Sequence, residues 1–177
     1  QDLETFNCNS DALWALGPYL SIDGMTTQDT VRLSGVEGEI YNLVGYDVLV
    51  DNVDGFSMGG LTVGSIYGFD NRELNIDDTN VSGAPALDFD NTAGTLTNIA
   101  VDCGGSGTGI TSHHGRASSS IAILDSTISS CTKGVDLHTD GESAPLILMD
   151  VVVDSTVAIS SDGSDLLVHN GHLNGSV

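Results

Sequence analysis

The chain has 177 residues, 40% of them hydrophobic, and sets 25 acidic residues against 4 basic ones for a formal net charge of −21. That balance excludes nucleic acid, whose binders need Lys and Arg to displace counterions from phosphates, and argues against an anionic membrane surface on the same ground. It suits a saline or Ca²⁺-containing exterior, where salt screens self-repulsion and carboxylates take up hard cations, or simple solubility.

Residues 1–30 read as a cap segment. Asn9 and Ser10 are N-cap residues before DALWAL, whose Leu13, Trp14 and Leu16 share one side of a short helix ended by Gly17 and Pro18. Such an element would cover the open first coil of a repeat protein, with Trp14 alternatively a stacking platform for a sugar. From Thr30 to Asn71, VRLSGV, YDVLVDNV and LTVGSI are strand-like between Gly-rich breaks. Val48 to Val53 and Leu61 to Ile66 make the five-residue step that recurs later, with Val at the polar position, so the polar column is expected to begin at Asp78.

From Glu73 onward one template recurs: two apolar positions two apart, then Asp or Asn, then another apolar residue. Its rows are Leu74-Ile76-Asp78-Val81, Gly94-Leu96-Asn98-Val101, Ile121-Ile123-Asp125-Ile128, Leu146-Leu148-Asp150-Val153 and Leu166-Val168-Asn170-Leu173, stepping by 20, 27, 25 and 20 residues. A period that tolerates insertions is the signature of a solenoid. ALDF, GTGITS, KGVDLH and TVAISS add a second strand to each coil, and no helical pattern falls between them. The expected organisation is a cap over 1–30 and a parallel β-helix over 31–177, regular from about 73, with Ile123, Ile128, Leu148 and Val153 in its core.

Asp78, Asn98, Asp125, Asp150 and Asn170 read as a structural ladder at a corner, their side-chain oxygens accepting backbone N–H groups and their amides stacking between coils. Asp125 and Asp150 on neighbouring coils would repel or share a cation, which makes calcium the alternative there. Cys103 and Cys131 fall seven and eight places past Leu96 and Ile123, near one corner of successive coils. They are expected either to form a disulfide or to be two buried thiols. No Cys/His spacing points to zinc, and no apolar run reaches the roughly 18 residues of a membrane span. Asn80-Val81-Ser82 and Asn174-Gly175-Ser176 are glycosylation sequons.

The phrases LNIDDTNVSGAPALDF and ILDSTISSCTKGVDL resemble the repeats of right-handed parallel β-helix proteins, the pectate-lyase-like superfamily, over roughly residues 46–177. The resemblance implies an all-β, right-handed parallel β-helix. It implies no single activity, since that scaffold carries lyases, hydrolases, adhesins and inert surface modules. A lyase of this kind needs a basic residue and cations that neutralise the substrate's carboxylate, and Lys133, Arg116, His113 and His138 would supply them, with His114, Asp136 and Asp140 nearby. His114 and His138 with carboxylates are also a candidate transition-metal set. The superfamily's sugar-hydrolase signatures are missing: Asp77-Asp78 stands without Asn-Thr-Asp, and His113-His114-Gly115 replaces Gly-His-Gly. His169 and His172 read as outward polar residues.

These features converge on a secreted, non-catalytic module outside the cell, serving fibre or surface-layer assembly or adhesion. The alternatives are a polysaccharide lyase or glycoside hydrolase on an acidic glycan, and a carbohydrate-binding adhesin. LLVHNGHLNGSV contains nothing amphipathic to cover the last coil, so Leu166, Val168 and Leu173 are expected to meet a second copy head to tail or the rest of a longer β-helix.

Overall fold

A computed structural model describes residues 3–5, 13–16, 19–115, 119–139, 145–162 and 165–177. Within them every regular element is a β-strand, and each coil pairs with the next in parallel. Apolar residues at every second position need a buried side, and a parallel ladder supplies the hydrogen bonds that a lone strand lacks. Each full coil carries three strand segments, so the chain winds around one core with three faces. The first face stacks Val31, Val48, Ile66, Leu87, Ile110, Val135 and Ile159 inward. The second stacks Ile40, Met58, Ile76, Leu96, Ile123 and Leu148, and the third Val63, Val81, Val101, Ile128 and Val153. All of these side chains are buried, including the four expected in the core.

Between the second and third faces the chain turns on a single residue in the left-handed region. Gly24, Asn42, Gly60, Asp78, Asn98, Asp125, Asp150 and Asn170 hold that corner with φ between 46° and 78°. Glycine adopts this conformation freely and Asn and Asp tolerate it, whereas other L-residues are disfavoured there. Successive corner residues are 18, 18, 18, 20, 27, 25 and 20 positions apart, which makes about seven turns of a parallel β-solenoid. Backbone conformation is therefore what selects Asp and Asn in the repeat. At Asp125 and Asp150 the corner N–H groups already donate to the carbonyls of Met149 and His169 on the next coil, at 3.0 Å each.

Two readings of the first half are corrected. Leu13–Leu16 is a strand and not part of a helical cap: Leu13 pairs with Val31 and Ala15 with Leu33, and both lean on the core. The edge of the next coil presents a row of N–H and C=O groups that a strand satisfies and a helix does not, so the two-residue period wins over the helical spacing. Tyr19–Thr27 already lies in the same ladders, before residue 31. Asn9, Ser10, Gly17, Pro18 and Cys8 lie outside the described residues. In addition, Val48 to Val53 and Leu61 to Ile66 are not early copies of the later anchor step. Val48 and Ile66 are neighbours on the first face, while Leu61 precedes the third-face strand Thr62–Val63. The corner column starts at Gly24 rather than Asp78, because glycine occupies it at 24 and 60.

At the corner between the first and second faces an amide side chain is buried, between Val53 on the coil before and Thr92 on the coil after. Asn71 is 1% exposed and fully engaged: its oxygen accepts the N–H of Val53 at 3.0 Å, and its amide donates to the carbonyl of Val50 and the hydroxyl of Thr92. Satisfied in this way, it fixes the spacing of three coils without an unpaired buried group.

Candidate functional site

The charged candidates gather on the outer side of the first face, in the coils enlarged by insertions. Strand Thr127–Thr139 carries three of them. Lys133 Nζ donates to Asp136 Oδ2 at 2.7 Å, and His138 Nε2 lies 3.5 Å from the same oxygen. On the following coil, Asp162 Oδ2 is 3.0 Å from His138 Nδ1, and Asp162 Oδ1 accepts the N–H of Thr139 at 3.1 Å. On the preceding coil, His113 is the register partner of His138, with ring centroids 4.6 Å apart and planes 26° from parallel. Asp90 is in turn the register partner of His113. Parallel in-register stacking therefore builds one outward column of Asp90, His113, His138 and Asp162, with Lys133 and Asp136 beside it.

Lys133 and His138 are each answered by a carboxylate of the group. The hydrogen bond that His138 donates to Asp162, reinforced by the negative charge of Asp136, holds the imidazole above its usual range despite partial burial. Burial alone would push Asp136 up, but the hydrogen bond and charge of Lys133, with help from Ser160 and His138, bring it below the ordinary carboxylate value. Asp162 is likewise held low, chiefly by His138. Burial raises Asp88, two residues before Asp90 on the same side of the strand, against the opposing pull of His113. A cation so engaged makes a poor free base, since proton abstraction would first have to break its ion pair.

The remaining candidates are dispersed. Arg116 and Asp140 lie outside the described residues. His114 is 1% exposed with Nε2 3.0 Å from the Ser112 hydroxyl, on the opposite side of the strand from His113, so it does not join His138 in a metal set. Burial holds its imidazole below the usual value. Among the described residues no three His, Cys, Asp or Glu side chains are arranged to hold a metal ion. In the corner ladder, Asn98 donates to Asp78 across the coils, as Asn42 does to Asp23 at 2.7 Å. Asp125 and Asp150 stack there without an intervening amide. Cys103 and Cys131 form a disulfide at the corner between the third and first faces, Cα atoms 4.9 Å apart. Leu166 and Leu173 pack against the core from the last coil, where Val168 is 37% exposed. Of the sequons, Asn80 is exposed on the third face, and the Asn174 amide bonds Asp154 at 2.9 Å.

A cleft that no sequence motif announces lies at the same third-to-first corner, in the coils before the disulfide. It encloses about 490 Å³, with Val44, Tyr46, Asp47, Ser65, Tyr67 and Ser82 around it and glycines along its floor. The floor has to be glycine: a Cβ at Gly83 would stand 2.2 Å from the Ser65 hydroxyl, and one at Gly64 would stand 2.6 Å from the Tyr46 carbonyl. The spacing Gly45, Gly64, Gly83 was the only signal available, and the side chains of the wall come from different coils.

Three parallel faces and a left-handed corner define the chain as a parallel β-solenoid. No known protein family, curated protein or solved structure matches it.

Proposed function

We propose that the chain is a non-catalytic module of an extracellular surface protein, a right-handed β-helix of the pectate-lyase-like kind, serving adhesion or assembly. The observation that carries this reading is the closed charge column of the first face. Lys133 and His138, the residues a lyase would need, are tied to Asp136 and Asp162 at 2.7 and 3.0 Å. Further support for an extracellular setting comes from the Cys103–Cys131 disulfide, a bond that persists in oxidising compartments, and from a net charge of −21, which salt would screen. Any calcium dependence is assigned to the Asp125–Asp150 corner. Assembly is assigned to Leu166, Val168 and Leu173 of the last coil.

The test is incubation with a panel of uronate and neutral polysaccharides, following unsaturated and reducing products, alongside light scattering against concentration in NaCl and CaCl₂ at matched ionic strength. The reading expects no product and a rise in mass with concentration. Product that disappears in Lys133→Ala or His138→Ala would replace it with a lyase or hydrolase acting on an acidic glycan.

A further inference from the structure

The cleft at the third-to-first corner is independent of the charge column and of the reading above. Its volume, about 490 Å³, falls in the range of small-molecule sites. Its wall combines features that a plain surface would not bring together. Tyr46 is 64% exposed and Val44 50% exposed, so an aromatic ring and an aliphatic side chain stand at the rim of a concave surface. Tyr67 and Asp47 are half-buried below them. Among the described residues Asp47 is the only charged member of the lining, which contains no Lys, Arg or His.

These facts select the ligand by charge. An anionic sugar or phosphate would meet a carboxylate and a chain of net charge −21, with no base in the lining to answer it. Asp47 has lost water by burial, which raises its pKa against a backbone hydrogen bond from Ser65, so an incoming positive charge restores part of what burial removed. A metal ion finds a single carboxylate where Ca²⁺ takes six to eight oxygens. Tyrosine faces attract cations through their negative π-surface, best when the cation is weakly hydrated. Glycine at 64 and 83 lets the neighbouring coils approach closely beneath the cleft.

We propose that this cleft binds a small organic ammonium group, held against Tyr46 and Tyr67 with its charge answered by Asp47. The probe is choline, compared with 3,3-dimethylbutan-1-ol, its neutral carbon isostere, in NMR titrations of the full chain. The titrations run in about 1 M NaCl, where screening acts within about 3 Å and diffuse attraction to an acidic protein is suppressed. Choline is expected to saturate with shifts at residues 44–47, 64–67 and 82–84, and the isostere to bind at least about threefold more weakly. Tyr46→Ala leaves the net charge unchanged and removes an exposed ring, so it keeps the fold. It should weaken choline about two- to fivefold, the scale of an exposed cation–π contact. Asp47→Asn should reduce the preference for choline over the isostere, leaving the part that the tyrosine rings supply. Equal binding of the two probes, no saturable binding of choline, or indifference to Tyr46→Ala would overturn the proposal. Tighter binding of a neutral oligosaccharide than of choline would overturn it in favour of a sugar site.

Discussion

The coils before and after Asp78 share one scaffold and differ in what they carry. From Gly24 to Asp78 each coil is 18 residues long, whereas the later coils run to 20, 27, 25 and 20, exceeding 18 by 2, 9, 7 and 2. None of the extra residues enters the corner between the second and third faces. There the inward step is always three, as in Ile40 to Leu43, Leu96 to Ile99 and Leu148 to Val151. The insertions fall at the other two corners, and they bring the disulfide and the segments flanking His113 and His138. The plain half instead keeps a tight glycine corner, and the Tyr46 cleft forms where it meets the first of the longer coils, which supplies Ser82, Gly83 and Ala84. In this solenoid one corner keeps register, and the other two are free to diversify.

If both halves share one core, Ile40→Ala in the plain half and Ile128→Ala in the expanded half should cost similar amounts, about 2–5 kcal/mol each from lost burial and the cavity left behind. Both side chains are at most 1% exposed. Denaturant melts giving a large loss at Ile128 and almost none at Ile40 would break the comparison, because the plain half would then not be held by the same packing.

Replacing both Cys103 and Cys131 by Ser tests what the longest insertion contributes. The bond closes a segment with a sequence separation of 28 residues, for which chain entropy assigns about 3–4 kcal/mol. Equal melting of the oxidised protein and the variant without the disulfide would mean that the enlarged coil is already ordered by its ladders.

The corner residues separate the halves more finely. Asn98→Ala should cost about 1 kcal/mol, because alanine lacks the tolerance of asparagine for a left-handed backbone, and Asn98→Gly should be nearly neutral. Gly60→Ala should cost more than Asn98→Ala, since its added Cβ would also stand 2.8 Å from the Asn42 side-chain oxygen. An Asn98→Gly protein as weak as Asn98→Ala would assign the role to the hydrogen bond with Asp78 instead.

This corner also explains what was legible in the sequence. From residue 73 on, parity of apolar residues and a column of Asp or Asn point to the same register, so the strand pairs of the second face could be read directly. In the plain half, glycine at 24 and 60 carries the same backbone conformation without a polar signature, and the five-residue steps at Val48 and Leu61 belong to different faces. Leu13–Leu16 is too short for period two and helical spacing to be told apart without the neighbouring strand edge. For the candidate sites the limit is different. Lys133, Asp136 and His138 are close in sequence and could be grouped, but Asp162 reaches His138 only through coil stacking. Tyr46, Tyr67 and Ser82 meet for the same reason, at separations that depend on the lengths of the intervening coils.

The smallest expected effect belongs to the charge column, and its sign is specific. His138 has a folded-state pKa raised above its ordinary value by Asp162 and Asp136. A raised imidazole stabilises the fold fully below the unfolded value, about 6.5, and that contribution fades as pH rises through the folded one. The carboxylates run the other way. Asp136 and Asp162 are lowered, so their share is present above about 4 and is lost as pH falls through their folded values. Together the groups stabilise most between about pH 4 and 6.5. Wild type should therefore exceed His138→Gln in unfolding midpoint by more at pH 6 than at pH 8. Buried His114 favours its neutral form and gives the opposite slope, but it is present in both proteins and cancels in the difference. A gap between the two proteins that stays constant across this range, or widens toward pH 8, would mean that His138 does not hold Asp162 in solution. The closed column on the expanded half would then be open.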